Sequence, residues 1–442
     1  LQHSMVRPVL ALAAALVGVA GALATPATAV EGPFEPEAQA IRNCRPRSDI
    51  SAPGAEAPPA TLLAAIDEHL ADERLVGVGL GLSLWIEGYG EVEAVAPDLR
   101  LKPASNQKLL TAMTAFEVLG PRYRLETKVV TTGRITDGVI DGDTYLVGGG
   151  DATLDSKGEH SLATLAAGLG AAGVQRITGR VVGDESRYND LRQANGWREF
   201  NIPSSMGSLS ALVVDENRYR ADWPFIEEPT PHNAAAFVAA LREAGIAVEG
   251  IAAEGVAPPE AVAVAKLLSP PVDELVAMML TDSDNMIAEM LTKEIGLVTS
   301  GTGSTAAGVA AMRKVVSDFC LPNSILQHDG SGLSHANARS ARGWRSLLQA
   351  AQDRPWWDQF VDALAIGGET GTLRRRFAET AAEGNLRAKT GTITGIRALS
   401  GLMTTIGGRQ VFFSAIVDDD RNPRAAMSAI DELLVAVAED ES

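Results

Sequence analysis

The apolar residues of this chain change period several times along its length, and each change marks an element. Leu109, Met113 and Phe116, with Leu110 and Ala112 beside them, recur at helical spacing. They predict a helix over 104–119 with one buried face, stopped by Gly120-Pro121. Upstream, 61–70 reads as a helix and the run at 78–86 as a buried strand. The glycines of that run resemble a nucleotide loop, but no helix follows and no acidic residue is placed for a ribose, so that reading is discarded. Residues 127–150 hold β-like segments with Asp-Gly turns at Asp137-Gly138 and Asp141-Gly142. A helix at 161–172, a strand near 180–183 and a helix at 233–244 follow. Two apolar helical segments, 272–280 and 286–295, are broken by the polar run Thr281-Asp282-Ser283-Asp284-Asn285. Strands are expected at 398–403 and 411–417. A last helix is expected at about 424–438, with apolar positions suited to packing on a sheet.

At 442 residues the chain is too long for one ordinary core, so two or more domains are expected. The net charge of −18 argues against nucleic acid and against anionic lipid surfaces, both of which need clustered Lys and Arg. The start of the chain reads as an export signal over 1–29. Arg7 supplies a positive charge, an apolar run from Val9 to Ala24 follows, and Ala27-Thr28-Ala29 fits a small-residue cleavage site. The run is short for a membrane span, an uncleaved anchor being the alternative. The final helix ends in Glu439-Asp440-Glu441 and makes a poor membrane anchor. Export permits a disulfide between Cys44 and Cys320; two buried free thiols are the alternative. The six histidines are scattered without a metal spacing, so no metal or other cofactor is expected.

Three short motifs carry the chemistry: Ser105-Asn106-Gln107-Lys108, Ser283-Asp284-Asn285 and Lys389-Thr390-Gly391. Each alone is ordinary turn or helix composition, but chance places all three in this order in well under about 1% of chains. This set is known from class A β-lactamases and penicillin-binding proteins. A serine hydroxyl is a weak nucleophile until a base takes its proton. Ser105 and Lys108, three apart on a helix, can touch. Lys108 must lose its own proton to act as base, which burial and a second cation, Lys389, would favour. Ser283 could pass a proton to the leaving amine, and Asn285 could fix the lysines and meet the substrate backbone. An extended peptide can align on a strand edge at Lys389, Thr390, Gly391 and Thr392. The backbone N–H groups of Ser105 and Thr392 would form an oxyanion hole.

With those residues in place, the chain resembles the low-molecular-mass class C penicillin-binding proteins, serine D-alanyl-D-alanine carboxypeptidases and endopeptidases of bacterial cell walls. The likeness spans roughly 60–440. Pro103 to Thr111 resembles the family's nucleophile segment. Gly149-Gly150-Asp151-Ala152-Thr153-Leu154 resembles its Gly-Asp-Pro-Thr-Leu turn, with Ala152 in place of proline. Val214-Asp215-Glu216-Asn217, Asp329-Gly330-Ser331-Gly332-Leu333-Ser334 and Gly368-Glu369-Thr370-Gly371-Thr372-Leu373 are also similar to family segments.

The resemblance implies an α/β (α+β) transpeptidase-like domain, with a five-stranded antiparallel sheet flanked by helices and interrupted by a mixed α/β insert. The expected division is a signal at 1–29, a lead-in at 30–54, the first part of the main domain at 55–125, the insert at 126–267 and the second part at 268–442. The family usually inserts two domains, and the short stretch from Asn217 to Asn233 leaves little room for the smaller one. The implied reaction is acyl transfer to Ser105 from peptidoglycan stem peptides ending in D-Ala-D-Ala, in the periplasm or on the outer face of the envelope. Lys389, Thr390 and Thr392 would bind the substrate carboxylate, and β-lactams would acylate Ser105. Two alternatives stand beside this. A β-lactamase of class A needs a Glu-x-x-x-Asn glutamate after the second motif; the nearest, Glu185 to Asn189, precedes it. A non-catalytic penicillin-sensing or wall-binding module could dispense with the lysines, which are both present.

Overall fold

The structure, a computed structural model, describes residues 54–218, 226–321 and 325–442. The export signal, the lead-in up to 53 and Cys44 lie outside the described residues, and with them the Cys44–Cys320 pairing. Among the described residues no helix is long and apolar enough to cross a membrane.

The main sheet is antiparallel and has six strands in the order Ala365–Ile366, Arg387–Ile393, Ile396–Thr404, Gln410–Asp418, Gly79–Ile86, Gly90–Val95. Five are full strands; the sixth is the two-residue Ala365–Ile366 at one edge. The central strands are buried on both sides, which is why they read as continuous apolar runs rather than alternating ones. In Gln410–Asp418, Phe412 and Ile416 enter the core shared with the Gln107–Val118 helix. Val411, Phe413, Ala415 and Val417 point the other way, against Ile66, Ile430 and Leu434 of the Ala60–Leu70 and Pro423–Ala438 helices. The second core therefore joins the first and last helices of the described chain, and their packing closes the fold around one sheet.

Residues between 126 and 268 carry two further sheets whose strands pair only with one another. One has five strands, with Ala252–Glu254 and Val262–Leu268 at its two edges. The other is small and contains a hairpin in which Thr136 pairs with Val139 across Asp137-Gly138. Both turn residues have positive φ, 48° and 77°, as a two-residue hairpin turn demands. A helix expected from 233 begins earlier, at Pro229, where proline is tolerated in the first turn.

Two elements that position the site escaped the apolar pattern, for a physical reason. Gly90–Val95 carries Glu91, which is paired with Arg342 at 2.9 Å and with Arg345 at 3.2 Å. The Ala341–Ala351 helix buries Arg345 and Gln349 beside Trp344 and Leu347. Paired polar residues, half-buried at Glu91 and buried at Arg345, disrupt a hydrophobic period without disrupting the element.

Candidate active site

Ser105 lies in a single 3₁₀ turn, Ala104–Asn106, that feeds directly into the Gln107–Val118 helix. The turn is pinned from several sides. Asn106 Nδ2 donates to Ser400 Oγ at 2.6 Å, and Ser400 shares a hydrogen bond with Ser414 at 2.8 Å. Ala104 sits at φ 47°, a left-handed conformation that costs a non-glycine residue roughly 1–3 kcal/mol and persists only where the surroundings impose it.

Lys108 is completely buried and its ammonium nitrogen joins three parts of the chain. It lies 3.1 Å from Ser105 Oγ, and donates to Asn285 Oδ1 at 2.7 Å and to the Ser331 carbonyl at 2.7 Å. Burial lowers its pKa to about 8; Asp329, Asp284 and Glu289 oppose that shift. Lys389 is equally buried and donates to the Thr390 carbonyl at 3.0 Å. Burial first, and then the charge of Lys108, hold its pKa well below the usual lysine range, with Asp282 opposing. Burial is the main cause at both lysines, and the nearness of two like charges adds to the cost of protonating the pair.

The third motif meets the first through its glycine. A Cβ on Gly391 would stand 2.7 Å from the Pro103 carbonyl oxygen and 3.2 Å from Ala104 Cβ, so only glycine allows the strand to approach the Ser105 turn this closely. The edge strand Ala365–Ile366 covers only Arg387 and Ala388. From Lys389 to Ile393 the outer edge is unpaired among the described residues, which leaves it available to an extended peptide. Thr390 Oγ1 meets Thr372 Oγ1 at 2.9 Å, and Thr392 is exposed.

The second motif is brought in by Asn285, at the start of the Asn285–Ser300 helix, whose cap is Asp284 accepting from the Ile287 N–H at 2.7 Å. Asn285 Nδ2 donates to the Ser205 carbonyl at 3.0 Å, so the same amide holds Lys108 and one wall of the cleft. Ser283 is half-buried at φ 68° and makes no side-chain hydrogen bond among the described residues. Its hydroxyl is left free to meet a ligand.

Two groups of site residues were not singled out by the motifs. The first is the Asp329–Ser334 loop. Asp329 accepts from Trp197 Nε1, the Gly332 and Ser334 N–H groups and Asn337 Nδ2. Glu289 accepts from the Gly330 and Ser331 N–H groups at 3.0 and 2.8 Å. Burial, reinforced by Asp329, raises the Glu289 carboxyl to about 7. This loop presents the Ser331 carbonyl to Lys108. The signal was its likeness to a family segment, which said nothing of a role. The second group is 188–213, which packs Tyr188, Met206 and Leu209 into the main core and supplies Phe200 and Ser205 to a cleft of about 350 Å³. Leu333, His335, Thr392 and Ile393 line the same cleft.

Gly332 offers a sharp test of this packing. At φ 88°, a Cβ there would lie 1.9 Å from the Ala104 carbonyl oxygen. Gly332→Ala should lower unfolding free energy by about 1–3 kcal/mol and displace the Ser105 turn. Thermal unfolding and acylation kinetics together check this; an alanine variant matching the parent in both would refute the close contact.

A serine hydrogen-bonded to a buried lysine, beside an open strand edge that carries a second buried lysine, defines a protein of the serine–lysine acyl-transfer class. The family model described as the D-Ala-D-Ala carboxypeptidase 3 (S13) family matches residues 62–224 and 223–437, and the chain belongs to that family. It is 31% identical over 413 residues to Carboxypeptidase DacB of Mycolicibacterium smegmatis, covering 87% of this chain and 85% of that protein. It is 28% identical over 456 residues to the D-alanyl-D-alanine carboxypeptidase of an Actinomadura species, covering 85% and 84%. Penicillin binding protein 4 of Haemophilus influenzae shares its fold, with a TM-score of 0.74 at 22% identity over 84% of this chain and 98% of that one.

Proposed function

We propose that this protein is a serine DD-peptidase that acts on peptidoglycan stem peptides and is acylated by β-lactams. The contact that carries the reading is Lys108 Nζ beside Ser105 Oγ, in a buried setting that lowers the lysine to about 8. Ser105 Oγ attacks the carbonyl of the penultimate D-alanine while neutral Lys108 takes the hydroxyl proton. The backbone N–H groups of Ser105 and Thr392 receive the developing oxyanion, each such donor being worth about 10²–10³ in rate. The C–N bond breaks as Ser283 relays the proton from Lys108 to the leaving amine, and the acyl group remains as a Ser105 ester. Water then adds to the ester carbonyl, gives its proton to Lys108, and Ser105 leaves with that proton restored. Asn285 orients Lys108 and meets the substrate backbone. Lys389, Thr390, Gly391 and Thr392 form the edge on which the substrate lies, with the threonine hydroxyls turned to its carboxylate.

We take residues 126–267 as a domain inserted into the main one, a reading supported by strands that pair only among themselves. We infer that the protein acts outside the cytoplasmic membrane, a reading supported by the peptidoglycan substrate class and by the export signal expected over 1–29.

A β-lactamase reading is disfavoured by Glu185. Burial pushes its carboxyl up, but hydrogen bonds from Arg192 at 2.6 and 2.8 Å outweigh this and hold it below the usual range. It is an ion-pair partner, not a free base. Penicillin should therefore leave an adduct long-lived enough for intact-mass detection, alongside D-alanine release from a pentapeptide. Rapid, repeated nitrocefin turnover would contradict this reading, and acylation without any peptide release would favour a sensing module.

A further inference from the structure

Lys108 is held in place partly by backbone, and that backbone is held by two buried carboxyl groups. Two successive peptide groups of the 330–332 segment run from a carboxyl to the Gln107–Val118 helix. In the first, the Ser331 N–H donates to Glu289 Oε1 at 2.8 Å, and the Gly330 carbonyl accepts from Thr111 Oγ1 at 2.7 Å. In the second, the Gly332 N–H donates to Asp329 Oδ1 at 3.0 Å, and the Ser331 carbonyl accepts from Lys108 Nζ at 2.7 Å. The Gly330 N–H also donates to Glu289 Oε1, at 3.0 Å. Glu289 lies four residues after Asn285 on the Asn285–Ser300 helix. One face of that helix therefore reaches Lys108 twice, directly through Asn285 and indirectly through Glu289.

Glu289 is an expensive residue for its position. It is completely buried, and its Oε2 has no hydrogen-bond partner among the described residues. A half-satisfied buried carboxyl stabilises a fold less than a well-packed apolar side chain of similar size. What it supplies is an acceptor for two N–H groups that meet no other acceptor among the described residues. We propose that Glu289 is a positioning residue of acyl transfer, holding the Gly330–Ser331 backbone so that the Ser331 carbonyl keeps the Lys108 amine on Ser105 Oγ. This role rests on the DD-peptidase reading, in which Lys108 is the base. A nucleophile and its base are completed by a third group that orients the base. Here that group is a backbone carbonyl, and residue type shows only the carboxyl behind it. The charges around the pair are few. Lys108 faces Asp329, Asp284 and Glu289, with Lys389 on the strand side; Glu289 faces Asp329 and, a turn further on, Lys293. A carbonyl that accepts from an ammonium favours the charged lysine. Its withdrawal should lower the midpoint at which Lys108 loses its proton, while the misplaced amine lowers the rate.

The test measures penicillin acylation against pH in the full chain, with thermal unfolding alongside, for the parent and three variants. Glu289→Ala removes the acceptor and should lose about 10²-fold in rate, the scale of a reacting group misplaced by about 1 Å. Glu289→Gln keeps an oxygen for both N–H groups and should stay within about fivefold of the parent. Thr111→Val releases the Gly330 carbonyl by exchanging a hydroxyl for a methyl, without changing any charge. It should lose about tenfold in rate, and its midpoint should fall below the parental one by about half a unit or more. A residue that only stabilised the fold would lower the unfolding temperature and leave that midpoint in place. Glu289→Ala acylated at the parental rate, Glu289→Gln slowed by more than about tenfold, or an unmoved midpoint in Thr111→Val would each overturn the role. If Glu289→Ala does not fold, the other two variants decide by the same outcomes. A parent that is not acylated at all would sink the DD-peptidase reading and this role with it, whereas an acylated parent with unaffected variants would sink this role alone.

Discussion

Replacing Ser105 with alanine should abolish covalent labelling by penicillin and lower D-alanine release by about 10⁴-fold or more, the scale seen when the nucleophile of a concerted catalytic group is removed. The size of the effect follows from what remains. Without the hydroxyl no ester can form, and the oxyanion donors and strand edge can only bind substrate. Substrate affinity should accordingly change little, so the loss falls on kcat. The variant should also fold normally, because Ser105 Oγ contributes one hydrogen bond, from Lys108, which keeps two other oxygen partners in Asn285 and Ser331. Thermal unfolding of the variant is the control. Labelling of the alanine variant at the parental level would show that another hydroxyl is acylated, and Ser283 would be the first to examine.

How far the site could be read from the chain depends on how each residue is held. The Ser105–Lys108 pair is local: three positions apart across a 3₁₀ turn that runs into a helix, the two side chains fall close together. The meeting of Lys108 with Asn285, and of Gly391 with the Ser105 turn, is not local. It was legible only because three weak motifs occurred in one order. The Asp329–Ser334 loop had no chemical signature of its own, since it contributes a backbone carbonyl, and backbone groups leave no trace in residue type. Phe200 and Ser205 were hidden for a different reason. They belong by sequence to the inserted region, yet residues around them pack into the main core. The sheet was largely foreseen because its central strands are apolar on both faces. Its outer strand Gly90–Val95 was not, because it is only half-buried and turns a glutamate, Glu91, to two arginines from a distant helix.

The same burial that hides Lys108 sets the pH at which the protein works. A lysine must be neutral to accept the Ser105 proton, and its pKa of about 8 leaves it about one-tenth neutral at pH 7. Penicillin acylation at subsaturating drug should therefore rise about tenfold per pH unit below 7. It should continue to rise through about 8 and then level off. The sign is decisive: a protonated Lys108 acting as an electrostatic aid would make the rate fall through the same midpoint. Lys108→Ala should cut acylation by about 10³-fold and remove this limb. Lys108→Arg should not restore it, because a guanidinium keeps its proton throughout the accessible range. Lys389→Met separates the two buried amines. If burial alone prepares Lys108, the loss of the second amine should leave the midpoint within about one unit of 8 even though the rate falls. A midpoint that climbs further toward the ordinary lysine value would mean that Lys389 carries the charge and that its repulsion, rather than burial, prepares Lys108 as the base.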